Sequence, residues 1–273
     1  MRRERLSITL RSDILNKLDK TIDGQNVRNR SHAIETILAE KLKSNILKKA
    51  VILGGGEGIE IGGKIISKLL MPVNGMTLLE KNIETLKACG ITDLILSLGT
   101  LAHEIREKIG DGSKYGIKVM YFERDRGNAD ILRQAKSLLE ETFLMMNGDI
   151  LLDTVDIDDM YEFHKKSGGK ATLLIAATTD SRNFGSIKMK GNMIIDFSEK
   201  VANPETQSHL INGGVYLLEP EVVSFVNPEI HTLETEVFPR LAQESRLYGY
   251  SIGDKWIHLH DKEKYQEYLS SEK

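Results

Sequence analysis

The chain has 273 residues, of which 40% are hydrophobic and 28% are charged, so it is long enough for one large domain beside a small one. No apolar run approaches the ~20 residues that a membrane-spanning helix needs. The amino terminus carries no hydrophobic segment of the kind found in signal peptides, and the single cysteine excludes an internal disulfide framework. We therefore expect a cytoplasmic protein with no membrane partner.

Charge is distributed unevenly along the chain. Residues 1–49 contain 12 basic and 6 acidic side chains, whereas the rest of the chain has a net charge of −9. A basic head suits a polyanion, and an acidic body is repelled by one. The pattern favours contact between the first 49 residues and a negatively charged partner.

The first predicted elements form a small amino-terminal domain, residues 1–44. Polar and apolar residues alternate over 5–10, which predicts a half-buried strand. A first helix is predicted from Ser12 to Gly24, and a second begins at Asn29–Ser31. Because a lone strand has two unpaired edges, we expect a homodimer in which two copies of the strand pair.

This order of elements resembles the ribbon-helix-helix family over residues 2–43. The resemblance implies that the paired strands enter the major groove of a palindromic operator in double-stranded DNA, and that the second helix begins at a backbone phosphate. The residues implied to contact DNA are Arg2, Arg3, Arg5, Ser7, Thr9, Arg30 and Ser31. The alternative is a dimerisation unit with no role in DNA binding.

After a predicted linker, residues 45–48, the pattern changes to strands that alternate with helices. Strands are predicted at 50–53, 94–98, 118–122 and 142–146, and helices at 77–89, 102–109 and 129–139. Such alternation is typical of an α/β domain with a Rossmann-like, mostly parallel sheet covered on both faces. Ligands of such sheets bind at the carboxyl ends of the strands.

The second domain, residues 49–273, resembles the sugar-1-phosphate nucleotidylyltransferases, which make nucleoside-diphosphate sugars. Short motifs carry the resemblance, in order along the chain: 50–56, 68–75, 110–113, 147–149, 183–185, 199–200, 212–216 and 246–250. A single glycine-rich loop is weak evidence, but this many motifs in the same order are specific. The resemblance implies the fold of the nucleotidyltransferase domain.

The same resemblance implies the site residues. In an active member, Lys68 and Asp149 would be catalytic, and Asp149 would also hold a metal ion. The residues implied to bind a sugar phosphate, a nucleotide sugar or a nucleotide are Leu53, Gly54, Gly55, Lys68, Asn147, Gly148, Asp149, Gly185, Glu199, Lys200, Asn212 and Gly213. No cofactor is expected to be required, although Mg²⁺ would accompany a bound nucleotide.

Three positions depart from the family pattern. Glu60 replaces the arginine that clamps phosphate, Asp130 replaces a glycine that the base approaches, and His258 replaces the second metal-binding carboxylate. A carboxylate in place of an arginine would repel a triphosphate. These departures predict that the triphosphate and metal side of the site is impaired.

Three functions are compatible with these residues. The first is a DNA-binding transcription regulator whose catalytically degenerate nucleotidyltransferase-like domain senses a small phosphorylated sugar or nucleotide. The second is an active sugar-1-phosphate nucleotidylyltransferase with an appended DNA-binding domain. The third is an architectural protein whose large domain only oligomerises. The departures favour the first function, as a homodimer or a higher homo-oligomer.

Overall fold

The computed structural model describes residues 7–23, 27–44, 47–99, 101–123, 127–178, 184–199, 208–252 and 256–271. The chain divides into two compact units, Met1–Ile46 and Leu47–Lys273. Leu47, which the sequence analysis places in the linker, is buried. In the described ranges no helix combines the length and apolar character needed to cross a membrane.

The small unit contains two helices, α1 (Ser12–Asp19) and α2 (Arg30–Ser44). Residues 7–10 of the predicted strand have no regular secondary structure, and residues 5 and 6 lie outside the described residues. Over residues 7–10 the predicted strand is therefore not formed in the single chain, as expected of a strand whose predicted partner belongs to a second copy. The ribbon-helix-helix module and the homodimer stay predictions.

The larger unit contains the remaining helices and all of the described strands. The helices are α3 (Leu78–Ala88), α4 (Ala102–Ile109), α5 (Asn128–Gln134), α6 (Ile157–Ser167), α7 (Phe238–Gln243) and α8 (Lys262–Ser271). The strands are β1 (Lys49–Gly54), β2 (Ile59–Ile61), β3 (Lys64–Ile66), β4 (Pro72–Val73), β5 (Met76–Thr77), β6 (Asp93–Leu98), β7 (Lys118–Glu123), β8 (Phe143–Asn147), β9 (Ile150–Leu151), β10 (Ala171–Ala177), β11 (Ser186–Lys190), β12 (Met193–Ser198), β13 (Leu210–Leu218), β14 (Leu247–Ser251) and β15 (Ile257–His258).

Nine of the described strands form one sheet in the order β10-β14-β12-β11-β13-β8-β1-β6-β7. The strands β8, β1, β6 and β7 are parallel, as the sequence predicts. Beyond β8 the pairing turns mostly antiparallel, beginning with β13. The predicted α/β architecture is confirmed, and its sheet is mixed in the carboxyl-terminal half.

Both faces of the sheet are buried. On β1, Val51 and Leu53 belong to one apolar cluster, while Ala50 and Ile52 belong to a second. The first cluster contains residues of α5 and α7, and the second contains residues of α3, α4 and α6. Successive side chains of a strand point to opposite faces, so a strand covered on both sides has a continuous apolar sequence.

Helix α3 begins with a reciprocal capping arrangement. The backbone N–H of Glu80 donates to Thr77 Oγ1 at 3.2 Å, and Glu80 Oε2 accepts from the Thr77 backbone N–H at 2.9 Å. Glu80 also accepts from the Tyr115 hydroxyl at 2.7 Å, and it lies 3.4 Å from Lys108 Nζ. Burial opposes ionisation of Glu80, but these donors and the Lys108 charge outweigh it and lower the pKa of the carboxyl to about 2.

We expect Glu80→Ala to destabilise the larger unit by roughly 3 kcal/mol near neutral pH, from the displacement of the Glu80 pKa below 4.5. A carboxyl whose pKa is lower in the folded state stabilises the fold above its unfolded pKa. The difference in free energy of unfolding between the variant and the wild type should therefore decrease as the pH falls from 4.5 towards 2. Urea unfolding at pH 7 and pH 3 measures both effects, with Glu84→Ala, an exposed position on α3, as control. A difference that stays constant with pH would contradict the argument.

Candidate active site

A cleft of about 330 Å³ lies at the carboxyl ends of β1 and β8. It is lined by Leu53, Gly54, Gly55, Gly56, Glu57, Ser67, Lys68, Leu69, Asn128, Asn147, Gly148, Asp149, Phe184, His258 and His260. The structure thus brings together seven of the predicted ligand-binding residues, from Leu53 to Asp149. Binding by each of them stays a prediction.

The floor of the cleft is closely packed backbone. The Gly148 N–H donates to the Leu53 carbonyl oxygen at 3.0 Å, so the turn after β8 lies against the end of β1. A Cβ atom at Gly148 would come 2.7 Å from that oxygen and 2.7 Å from Leu69 Cδ2. Only glycine permits this approach, which leaves the cleft open above the backbone.

A short 3₁₀ helix, Lys68–Leu70, presents Lys68 to the cleft. Ser67 caps it by accepting from the Leu69 N–H at 3.3 Å. Leu69 is buried beneath the cleft, whereas the Lys68 side chain is 30% exposed. Burial of the leucine therefore anchors the segment and leaves the neighbouring ammonium group at the cleft.

Asp149 faces two nitrogen donors. Lys68 Nζ donates to Asp149 Oδ2 at 3.3 Å, and His258 Nε2 lies 3.3 Å from Asp149 Oδ1. The Asp149 side chain is 18% exposed, and its burial opposes ionisation. The hydrogen bond from His258 and the nearby charges outweigh that effect and lower the pKa of Asp149 to about 2. Asp149 is therefore an anion held between a lysine and a histidine.

The resemblance implies Mg²⁺ at Asp149, but the residues present do not fit a magnesium site. Mg²⁺ prefers oxygen ligands in octahedral geometry. Each Asp149 oxygen already faces an N–H donor, and within the described ranges no three His, Cys, Asp or Glu side chains cluster as a metal site would require. Two like unit charges ~4 Å apart repel by about 4 kcal/mol at an effective dielectric of 20, so the Lys68 ammonium disfavours a divalent ion here.

The rings of Phe184, His258 and His260 form one wall of the cleft, and Trp256 packs against them from outside the cleft lining. The His258 and His260 rings stack with centroids 4.5 Å apart, and the Trp256 ring lies 5.0 Å from His258. Phe184 contacts Trp256 edge to face at 5.4 Å. Burial lowers the pKa of His260, and the neighbouring His258 adds to that effect. The sequence analysis did not assign Phe184, Trp256 or His260 to the site, because the rings meet only through tertiary packing.

A hydrogen-bond network supports the opposite side of the cleft. Asn128 Nδ2 donates to both Glu234 oxygens at 2.7 Å, and Asn128 Oδ1 accepts from the Leu233 N–H at 3.0 Å. The buried Tyr216 hydroxyl donates to Glu234 at 3.2 Å and accepts from Asn212 Nδ2 at 2.9 Å. Burial, followed by the Glu234 charge, raises the pKa of Tyr216. No sequence motif indicated Glu234, which lies in a π-helical turn, Leu233–Val237.

Four other predicted ligand residues form a separate cluster. The Asn212 N–H donates to the Gly185 carbonyl oxygen at 3.0 Å, and a Cβ atom at Gly185 would lie 2.7 Å from Glu199 Oε2. Gly213 accepts from Trp256 Nε1 at 3.0 Å, which joins this cluster to the aromatic wall. None of the four lines the cleft itself, and Lys200 lies outside the described residues.

Two of the departures from the family pattern do not face the cleft. Glu60 is exposed on β2, which pairs with β3 in a hairpin, and it does not line the cleft. Asp130 is buried on α5, where it pairs with Arg133 and accepts from Gln134 Nε2 at 2.7 Å. The expectation that Glu60 repels a triphosphate stays a prediction, since the hairpin places this side chain outside the residues that line the cleft. Glu57, by contrast, does line the cleft.

The residues predicted to contact DNA lie in the small unit. Ser7, Thr9 and Ser31 are exposed, and Arg30 forms a bidentate ion pair with Asp19 at 2.7 and 2.8 Å. The Arg30 guanidinium is therefore already paired in this chain. Arg2, Arg3 and Arg5 lie outside the described residues. The roles of these seven residues stay predictions.

The curated proteins that are similar to this chain carry the names of enzymes. The chain is 28% identical over 220 residues to mannose-1-phosphate guanyltransferase 2 of Candida glabrata. The matched region covers 77% of this chain and 60% of that protein. It is 25% identical over 232 residues to UTP–glucose-1-phosphate uridylyltransferase of Synechocystis, with the same coverage. The chain thus spans about 60% of the length of these relatives.

Solved structures show the same fold. A UDP-glucose pyrophosphorylase complexed with UDP-glucose superposes with a TM-score of 0.70 at 17% identity, covering 83% of this chain and 98% of that one. HddC from Yersinia pseudotuberculosis superposes with a TM-score of 0.66 at 20% identity, covering 83% of this chain and 100% of that one. At these identities the likeness shows the fold alone.

The predicted main function is wrong. The sequence analysis favoured a DNA-binding transcription regulator with a catalytically degenerate sensor domain, but the relatives carry the names of sugar-1-phosphate nucleotidyltransferases. Of the three departures that suggested an impaired site, Glu60 and Asp130 do not line the cleft, whereas His258 does. DNA binding and transcription regulation find no support among these relatives.

The sequence model of the nucleotidyl transferase family matches residues 49–267, which is most of the chain. This range includes the cleft and the residues that support it. The chain therefore belongs to the nucleotidyl transferase family.

Proposed function

We propose that this protein is an active sugar-1-phosphate nucleotidylyltransferase. The observation that carries the proposal is the cleft at the ends of β1 and β8, where Lys68 stands beside an ionised Asp149 over a glycine floor. The family membership and the names of the relatives support it. This is the second of the three functions that are compatible with the sequence, but the proposal does not include an appended DNA-binding domain.

In the proposed reaction, a phosphate oxygen of the sugar-1-phosphate attacks the α-phosphorus of a nucleoside triphosphate. A new P–O bond forms, the bond between the α-phosphorus and the bridging oxygen breaks, and pyrophosphate leaves with that electron pair. Such a transfer needs positioning and charge neutralisation more than covalent help from the protein. Lys68 would place its ammonium against the phosphates.

Each wall of the cleft would contribute to positioning. The backbone of Gly54–Gly56 allows phosphates to approach closely, as glycine-rich loops after a strand do. Asn128 has its amide fixed by Glu234 and Leu233, so that wall is preorganised. Outside the cleft lining, the Gly185–Glu199 cluster, which the Gly213–Trp256 hydrogen bond joins to the aromatic wall, would take the hydroxyl groups of the sugar, since carboxylates accept hydrogen bonds from them.

The names of the relatives suggest hexose-1-phosphates as acceptors, with a guanylyl or a uridylyl group transferred. We propose glucose-1-phosphate or mannose-1-phosphate as the substrate class. Neither the base nor the sugar follows from the cleft residues, so both should be screened.

The test is a matrix of four nucleoside triphosphates against glucose-1-phosphate and mannose-1-phosphate. Pyrophosphate release and the nucleoside-diphosphate sugar are measured together, the latter by anion-exchange chromatography and mass spectrometry. We expect at least one pair to give both products in equal amounts, and omission of the sugar phosphate to abolish both. Absence of product from every pair, with protein that unfolds cooperatively, would overturn the proposal.

A further inference from the structure

His258 contacts Asp149 at the position where the family resemblance implies a second metal-binding carboxylate. We propose that Asp149 positions the Lys68 ammonium and is not a metal ligand. In this proposal His258 blocks the binding of divalent cations to the Asp149 carboxylate. In this arrangement Lys68 carries the positive charge that receives the phosphates. The inference rests on the proposed function for the nature of that ligand.

The geometry occupies both carboxylate oxygens. Lys68 Nζ faces Oδ2 and His258 Nε2 faces Oδ1, each at 3.3 Å. A histidine nitrogen that donates to a carboxylate carries its proton, whether the ring is neutral or charged, so it has no lone pair for a metal ion. A cation bound at Oδ1 would therefore lie beside the imidazole N–H and the Lys68 ammonium, both of which disfavour it.

His258 is not free to move aside. Strand β15 pairs with β9, with His258 opposite Ile150, and the Leu259 N–H donates to the Asp149 carbonyl oxygen at 2.8 Å. The imidazole is 15% exposed and stacks on His260. Displacing the imidazole would break this packing. The backbone that positions His258 therefore also keeps its ring against the Asp149 carboxylate.

The Lys68 ammonium has hydrogen-bond donors that the contact with Asp149 does not use. Its ammonium carries three N–H groups, and the contact with Asp149 uses one of them. The side chain is 30% exposed and lines the cleft, so the remaining donors are accessible to an anionic ligand. Asp149 thus orients a lysine that would otherwise sample many rotamers.

The test measures Mn²⁺ binding to the full chain by electron paramagnetic resonance, without nucleotide or sugar phosphate. We expect wild type and Asp149→Asn to bind Mn²⁺ equally weakly. His258→Asp should create a two-carboxylate site and bind one Mn²⁺ at least about tenfold more tightly, because affinity follows the number of charged ligands. Adding Asp149→Asn to that variant should abolish the gain.

His103→Asp, at an exposed position on α4, controls for the added charge and should change nothing. If His258→Asp fails to fold, as judged by circular dichroism, His258→Ala replaces it, with a smaller gain expected. One Mn²⁺ bound by wild type and lost in Asp149→Asn, or no gain in a folded His258 variant, would overturn the inference. Since no substrate is present, these results are independent of whether nucleoside-diphosphate sugar is formed.

Discussion

Replacing Lys68 with methionine should lower kcat/KM for nucleotidyl transfer about 10²- to 10³-fold, the usual cost of removing one preorganised group that stabilises developing charge. Methionine keeps most of the length of the side chain and removes the ammonium. The phosphates lose their cation, and Asp149 is left facing His258 alone. The negative charge that remains then repels the triphosphate.

The matched control is Lys64→Met, an exposed lysine of strand β3 outside the cleft, which should retain wild-type kcat/KM. Initial rates for the active substrate pair, with thermal unfolding as a check of folding, measure both variants. Near-normal kcat/KM in Lys68→Met would show that the charge at the cleft comes from elsewhere and would remove the main support for the proposed mechanism.

Gly127→Ala should destabilise the larger unit by roughly 3 kcal/mol or more and abolish activity with it. Gly127 has φ +132°, and a Cβ atom there would overlap the carbonyl oxygen of His231. That oxygen already accepts from the Ala129 N–H at 3.1 Å. To make room, the segment that carries Glu234 must move away from Asn128, which breaks the support for one wall of the cleft.

Gly191→Ala is the matched control. Gly191 also has a positive φ, +59°, but a Cβ atom there meets nothing within 4 Å. It should cost only about 1 kcal/mol, from backbone strain alone. Urea unfolding of both variants separates the clash from the strain. Equal destabilisation of the two would mean that the contact with His231 contributes nothing.

The parallel half of the fold could be predicted because its signals are local. The strands and helices between residues 49 and 147 follow the predicted order, and α4 has the predicted bounds, Ala102–Ile109. Continuous apolar strands and amphipathic helices are visible in windows of a few residues. One helix differs, since α5 ends at Gln134 and a 3₁₀ turn follows.

Substitutions at motif positions were harder to interpret. Glu60 and Asp130 suggested an impaired site, but Glu60 is exposed on a hairpin, Asp130 pairs with Arg133 on α5, and neither lines the cleft. The sequence shows which residue type replaces another and not where its side chain points. The mistaken function followed from interpreting changed motif residues as a loss of activity, whereas the relatives of this chain carry the names of enzymes.

By itself the sequence determined the nucleotidyltransferase fold, the order of its first elements and the motifs that contain Lys68 and Asp149. Only the tertiary structure decided which groups meet them. His258 reaches Asp149 because β15 pairs with β9, over a separation of more than a hundred residues. Glu234 and Asn128 are as far apart in the chain, and they meet through hydrogen bonds between a π-helical turn and the start of α5. Local periodicity reports burial and secondary structure, whereas contacts between distant segments depend on how the whole sheet assembles.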